Sequence, residues 1–83
     1  MKHTYNAGGV DKTVHIDQLA AQMQTDYEEG LDTFMAVNTL QNGRYLRLDG
    51  YYTGASDTDL FIFQDKATGG YYLVKFTEIV RIY

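Results

Sequence analysis

Few residues in this 83-residue chain carry groups able to do chemistry, and they do not fall into a catalytic pattern. His3 and His15 are the only histidines. A general base or metal ligand needs such a ring beside a partner group. His3 sits in a polar lead-in and His15 beside a helix start, where a surface or capping role accounts for both. Ser56 is the only serine, and no spacing offers it a histidine base for acyl transfer. Asp57 and Asp59 form an Asp-x-Asp pair that could contribute oxygens to Ca²⁺ or Mg²⁺, but the later ligands of a calcium loop are missing, which leaves a solvated loop. Gly8-Gly9 does not extend to a phosphate-cradling loop. The expectation is a protein that is not an enzyme, with no cofactor and no metal.

Charge narrows the partner classes. Residues 1–43 hold Lys2 and Lys12 against Asp11, Asp17, Asp26, Glu28, Glu29 and Asp32, whereas residues 44–83 balance five basic against five acidic side chains. The whole formal excess of −4 lies in the first half. No run or stripe of Lys and Arg exists to displace phosphate counterions, which argues against nonspecific DNA binding. Arg44, Arg47, Lys75 and Arg81 could form a local basic patch, or stand as four solvated strand residues.

The elements that must position these side chains follow from periodicity. Residues 1–9 are polar and unpatterned, which reads as a flexible arm. Ile16, Leu19, Ala20, Met23 and Tyr27 recur at helical spacing, predicting a helix over 16–30 with Asp17 as N-cap and Gly30 at the left-handed exit. Alternatively Val10, Lys12, Val14 and Ile16 alternate as a strand before the helix. From 33 to 83 the period shortens. Thr33 to Leu40, Tyr45 to Tyr52, Leu60 to Phe63, Tyr71 to Phe76 and Ile79 to Tyr83 read as strands, with Asn42-Gly43 as a type I′ hairpin turn and a bend or bulge at Gly50 and Gly54. One domain spanning 1–83 accommodates them, without disulfide or proline, so its stability margin is thin and self-association gains weight.

The order helix then five strands resembles the Sm-like fold. Leu40-Gln-Asn-Gly43 looks like that family's hairpin entry, Gly50 falls near the glycine of its curved second strand, and Leu60-Phe-Ile-Phe63 looks like its apolar third strand. Val74-Lys-Phe-Thr-Glu-Ile-Val-Arg-Ile82 looks like its second motif. SH3-like and YabP-like small barrels share much of this punctuation. Over residues 16–83 the resemblance implies an α+β fold: an N-terminal helix followed by a five-stranded, strongly bent antiparallel sheet closing into a small barrel. It also implies RNA-binding loops at Asp57, Asp59 and Lys75. The loop departs from the family, since Asp59 stands where an asparagine would read a base and Ala55 where an aspartate would stand. Phe76 replaces the glycine after the basic residue. A carboxylate there repels phosphate, so weak residual RNA binding is the most the resemblance implies.

Eight tyrosines, four of them in the pairs Tyr51-Tyr52 and Tyr71-Tyr72, add an interface signal, because adjacent strand residues point to opposite faces. Sm-like proteins pair the fourth strand of one subunit with the fifth of the next. The corresponding oligomer edge here is Tyr72, Val74, Phe76, Val80 and Ile82. Two functional expectations result. One is an Sm-like homo-oligomeric binding or scaffold protein of the bacterial and phage kind. The other is a small acidic interaction module or inhibitor that uses Asp26, Glu28 and Glu29 against a basic partner surface. The polar N-terminus and lack of a long apolar run predict no membrane partner and a cytoplasmic location.

Overall fold

Strand pairing begins before the helix. In a computed structural model describing residues 1–83, Lys2–Ala7 forms β1 and Val10–His15 forms β2, an antiparallel hairpin joined at Gly8-Gly9. Both glycines have positive φ, 59° and 99°, the backbone a two-residue hairpin loop demands and a Cβ resists. Tyr5 is buried, while Ala7 and Val14 pack against the core. The segment expected as a flexible arm is thus a strand. Its alternation of His3, Tyr5 and Ala7 with Lys2, Thr4 and Asn6 supplies the two-residue period.

The helix, α1, spans Ile16–Glu28 and buries Ile16, Leu19 and Met23. His15, not Asp17, occupies the N-cap position, and it makes no side-chain cap bond. Asp17 lies in the first turn, where its carboxylate accepts the Gln18 amide at 2.9 Å. The helix stops two residues before Gly30. The Gly30 amide donates to the Tyr27 carbonyl and the Leu31 amide to that of Asp26, the paired bonds of a Schellman ending.

Five strands and a 3₁₀ turn follow: β3 (Phe34–Gln41), β4 (Arg44–Ala55), β5 (Leu60–Asp65), β6 (Tyr71–Lys75), the turn Phe76–Glu78, and β7 (Ile79–Ile82). The sheet has seven strands in the order β2-β1-β7-β3-β4-β5-β6. All neighbours are antiparallel except β1 and β7, which run parallel at Asn6↔Arg81 and Ala7↔Ile82. This overturns the expected helix-first, five-stranded antiparallel fold. The N-terminal hairpin adds two strands, and because β1 lies alongside β7 in the same direction the sheet becomes mixed.

Three local devices shape the sheet. Gly50 is required by closeness: a Cβ there would lie 2.6 Å from Phe63 Cζ and also collide with the Gln64 carbonyl oxygen. Between Tyr52 and Ala55 the β4–β5 register shifts, so the expected irregularity falls around Gly54. Gln24 binds helix to sheet there, its side-chain oxygen accepting the Tyr52 hydroxyl at 2.6 Å and the Ala55 amide at 3.1 Å. Met35, Val37, Phe61, Phe63, Val74, Phe76 and Ile79 fill the centre, all buried. Each removes most of a large side chain from water, a gain of roughly 1.5–3 kcal/mol per residue.

Candidate functional site

Of the three residues expected in RNA-binding loops, Asp57 stands apart from the other two. Asp57 turns back on its own loop, accepting the Thr58 amide at 2.7 Å. Asp59 and Lys75 come together, lining a cleft of about 530 Å³ with His15, Asp17, Thr58 and Thr77. Two aspartates therefore share the space with the lysine, so its field toward a phosphate is opposed. Lys75 also borders a larger neighbouring cleft of about 720 Å³, whose apolar lining includes Leu40, Tyr45, Leu60 and Leu73. Arg44 and Arg47 are three positions apart on β4 and point to opposite faces. With Lys75 on β6 and Arg81 on β7, the four cations are dispersed over several strands.

The proposed oligomer edge is placed differently from expectation. β7, with Val80 and Ile82, lies inside the sheet between β1 and β3. Val74 and Phe76 are buried core residues and Tyr72 is half-buried. β6 does end the sheet, but side chains of this chain cap part of its outer side. Gln41 Nε2 donates to the Leu73 carbonyl at 2.9 Å, and the Lys75 amide donates to Glu78 at 2.9 Å. The same Glu78 carboxylate accepts the Thr39 hydroxyl at 2.9 Å and the Leu40 amide at 2.8 Å. One side chain therefore fastens β3, β6 and the 3₁₀ turn together. The sequence reading missed it, although a glutamate three positions after a turn entry is the spacing that brings its carboxylate back onto the entry amide.

The tyrosine pairs divide as strand geometry requires. Tyr52 is buried and Tyr51 lies on the opposite face beside Phe34, with ring centroids 5.2 Å apart. Phe34 stacks on Tyr83 at 4.8 Å, Lys66 lies 5.1 Å from the Phe34 centroid, and Arg81 lies 4.8 Å from that of Tyr83. Two stacked rings are flanked by a cation at each end, so the Phe34 and Tyr83 faces already have partners within the molecule. They are not a free stacking platform for bases.

The end of α1 is different. Between Ile16 and Asp32 there are five carboxylates, from Asp17, Asp26, Glu28, Glu29 and Asp32, and no basic residue. Asp26, Glu28 and Glu29 sit at or just after the last turn, which contains no cation. A helix C-terminus carries partial negative charge, so carboxylates there oppose the dipole. Among them Tyr27 is 43 % exposed and Leu31 57 % exposed. Tyr27 meets Tyr52 edge-on, with centroids 5.8 Å apart. Burial, then the Glu28 charge, then Tyr27 raise the Tyr52 phenol above its ordinary value, so it stays protonated as a donor to Gln24. Leu31 lies on the far side of the Gly30 exit and packs into no core.

Comparison with protein-family models, with curated proteins and with solved structures gives no match. No helix is long and apolar enough to cross a membrane.

Proposed function

We propose that this protein is a non-enzymatic interaction module that engages a basic surface of a partner protein through the C-terminal end of α1. The observation carrying this reading is the exposed apolar pair Tyr27 and Leu31 set among Asp26, Glu28, Glu29 and Asp32. Apolar anchors inside a charged rim are the composition of a protein-binding patch. Carboxylates at a helix C-terminus cost stability locally, so their concentration there favours a role in binding over one in folding. Charge of one sign steers an oppositely charged partner and speeds its encounter. The Sm-like ring reading needs both β6 and β7 as assembly edges. The interior position of β7 and the capping of β6 weigh against it, as the two aspartates beside Lys75 weigh against RNA. A cytoplasmic location accords with a chain lacking cysteine.

The test is isothermal titration with a lysine-rich polypeptide of about twenty residues at several salt concentrations, comparing the natural chain with the Glu28→Lys/Glu29→Lys variant. Binding by the natural chain that weakens with salt and falls at least about tenfold, or about 1.4 kcal/mol, in the variant is expected. Equal binding by both chains, or none by either, refutes the reading.

A further inference from the structure

The two ends of the sheet are not equivalent. β6 is partly closed by Gln41 and Glu78, whereas β2 pairs only with β1. The Gly8-Gly9 turn fixes which β2 groups are used. Ala7 and Val10 flank a two-residue loop and exchange main-chain hydrogen bonds, as do residues at alternate positions beyond them. The Ile16 amide donating to the Met1 carbonyl at 2.9 Å fits that phase. So does the Thr4–Thr13 hydroxyl contact of 2.7 Å, a close side-chain approach expected of a non-hydrogen-bonded pair. Val10, Lys12 and Val14 therefore face β1 with their main-chain groups, and those of Asp11 and Thr13 face outward together with the His15 amide, the His15 carbonyl serving as the N-cap acceptor of α1. Asp11, Thr13 and His15 are all exposed.

We propose that this outer edge binds β2 of a second copy, antiparallel, about a two-fold axis at Thr13. Charge selects the register. An axis at Asp11 would oppose two carboxylates and an axis at Lys12 two ammonium groups, each unfavourable across a strand pair. An axis at Thr13 opposes Thr13 with Thr13, and Asp11 with His15 of the other copy. That last pair forms a hydrogen bond with a neutral imidazole and an ion pair with a protonated one. An axis further along overlaps less of the strand. Pairing through one edge only closes the assembly as a two-fold dimer, whereas a ring needs two different edges. The contact is a short strand with no large apolar side chain between the copies, so the dimer belongs to the weak, transient class.

Sedimentation analysis from about 10 μM to about 1 mM tests this, with Asp11→Lys, His15→Asp and the double variant beside the natural chain. A reversible dimer is expected, weakened at least about tenfold by either single change, which removes the complementary pair. The double variant is expected to restore it, because the ammonium group introduced at position 11 of one copy then faces the carboxylate introduced at position 15 of the other. The chain has no cysteine, so a Thr13→Cys variant reports the axis separately. It is expected to oxidise to a covalent dimer faster than a Ser56→Cys control, since strand partners on the axis bring their Cα atoms to roughly 5.5 Å, within disulfide reach. A monomer throughout the concentration range overturns the proposal. So does a double variant no tighter than the single ones, or equal oxidation of the two cysteine variants.

Discussion

Gly50→Ala puts one methyl group where the sheet has no room for it. The added Cβ would stand 2.6 Å from Phe63 Cζ and 2.9 Å from the Gln64 carbonyl carbon, closer still to that carbonyl oxygen. A Cβ has no rotamer by which to escape, and the obstructing groups are β5 backbone and a fully buried ring. Relief requires β4 and β5 to separate at the Gly50↔Asp65 and Tyr51↔Gln64 pairs, which lengthens ladder hydrogen bonds and disturbs the Phe63 packing. Overpacking of a core usually costs about 1–3 kcal/mol, and displaced backbone adds to it, so about 3–4 kcal/mol is expected. Domains carry roughly 0.05–0.15 kcal/mol per residue, which puts the whole stability of this one at about 4–12 kcal/mol. Gly50→Ala therefore consumes a large share. Gly43→Ala is the reference: nothing lies within 4 Å of its added Cβ and only its φ of 76° resists the change, a cost of about 1–2 kcal/mol. Urea unfolding followed by circular dichroism measures both. A Gly50→Ala loss no greater than that of Gly43→Ala refutes the close-approach explanation.

Glu78→Ala removes the acceptor of the Thr39 hydroxyl and of the Leu40 and Lys75 amides. Water reaches part of this site, so about 2–3 kcal/mol is expected instead of the full sum of three charge-assisted bonds. For a chain of this size that lowers Tm by about 8–24 °C by calorimetry. Glu78→Gln, retaining one acceptor oxygen, should lose about half as much. The Tyr52 phenol, raised by burial and by Glu28, holds its proton more tightly in the folded than in the unfolded chain. Its contribution is complete below the unfolded value of 10.0 and is lost as pH rises from there toward the higher folded value. Stability measured by urea unfolding should consequently fall less steeply above pH 10 in Tyr52→Phe than in the natural chain. Tyr83→Ala, which takes one ring from the Arg81, Tyr83, Phe34 and Lys66 stack, should cost about 1–2 kcal/mol by the same method.

Helical spacing from Ile16 and β-rich content after Thr33 were legible because each repeats over enough residues to fix its period. The hairpin before the helix was harder to read. His3, Tyr5 and Ala7 are an unusual inward set, and only the neighbouring Gly8-Gly9 pair carries an explicit turn signal. The alternation of Val10, Lys12 and Val14 did mark β2, but taking residues 1–9 for an arm misplaced the sheet edge, since it is β1 that covers β7. Gly50 looked like a site of curvature, but its requirement is a contact with Gln64 and Phe63, distant in sequence and visible only after folding. The acidic residues after Gln24 could be seen from composition alone. Their clustering around exposed Tyr27 and Leu31 depends on where α1 ends, and so did not follow from charge counting. Glu78 and Gln24 act through bonds to residues 28 to 39 positions away, beyond the range of local patterning.

The acidic helix end as a partner surface is tested most directly by nuclear magnetic resonance of the labelled natural chain titrated with the lysine-rich polypeptide. Amide shifts concentrated at Asp26, Tyr27, Glu28, Glu29, Leu31 and Asp32, fading as salt is added, are the expected result. Shifts spread evenly over all carboxylates, or centred on the cleft walled by Leu40, Tyr45, Leu60 and Leu73, would contradict it.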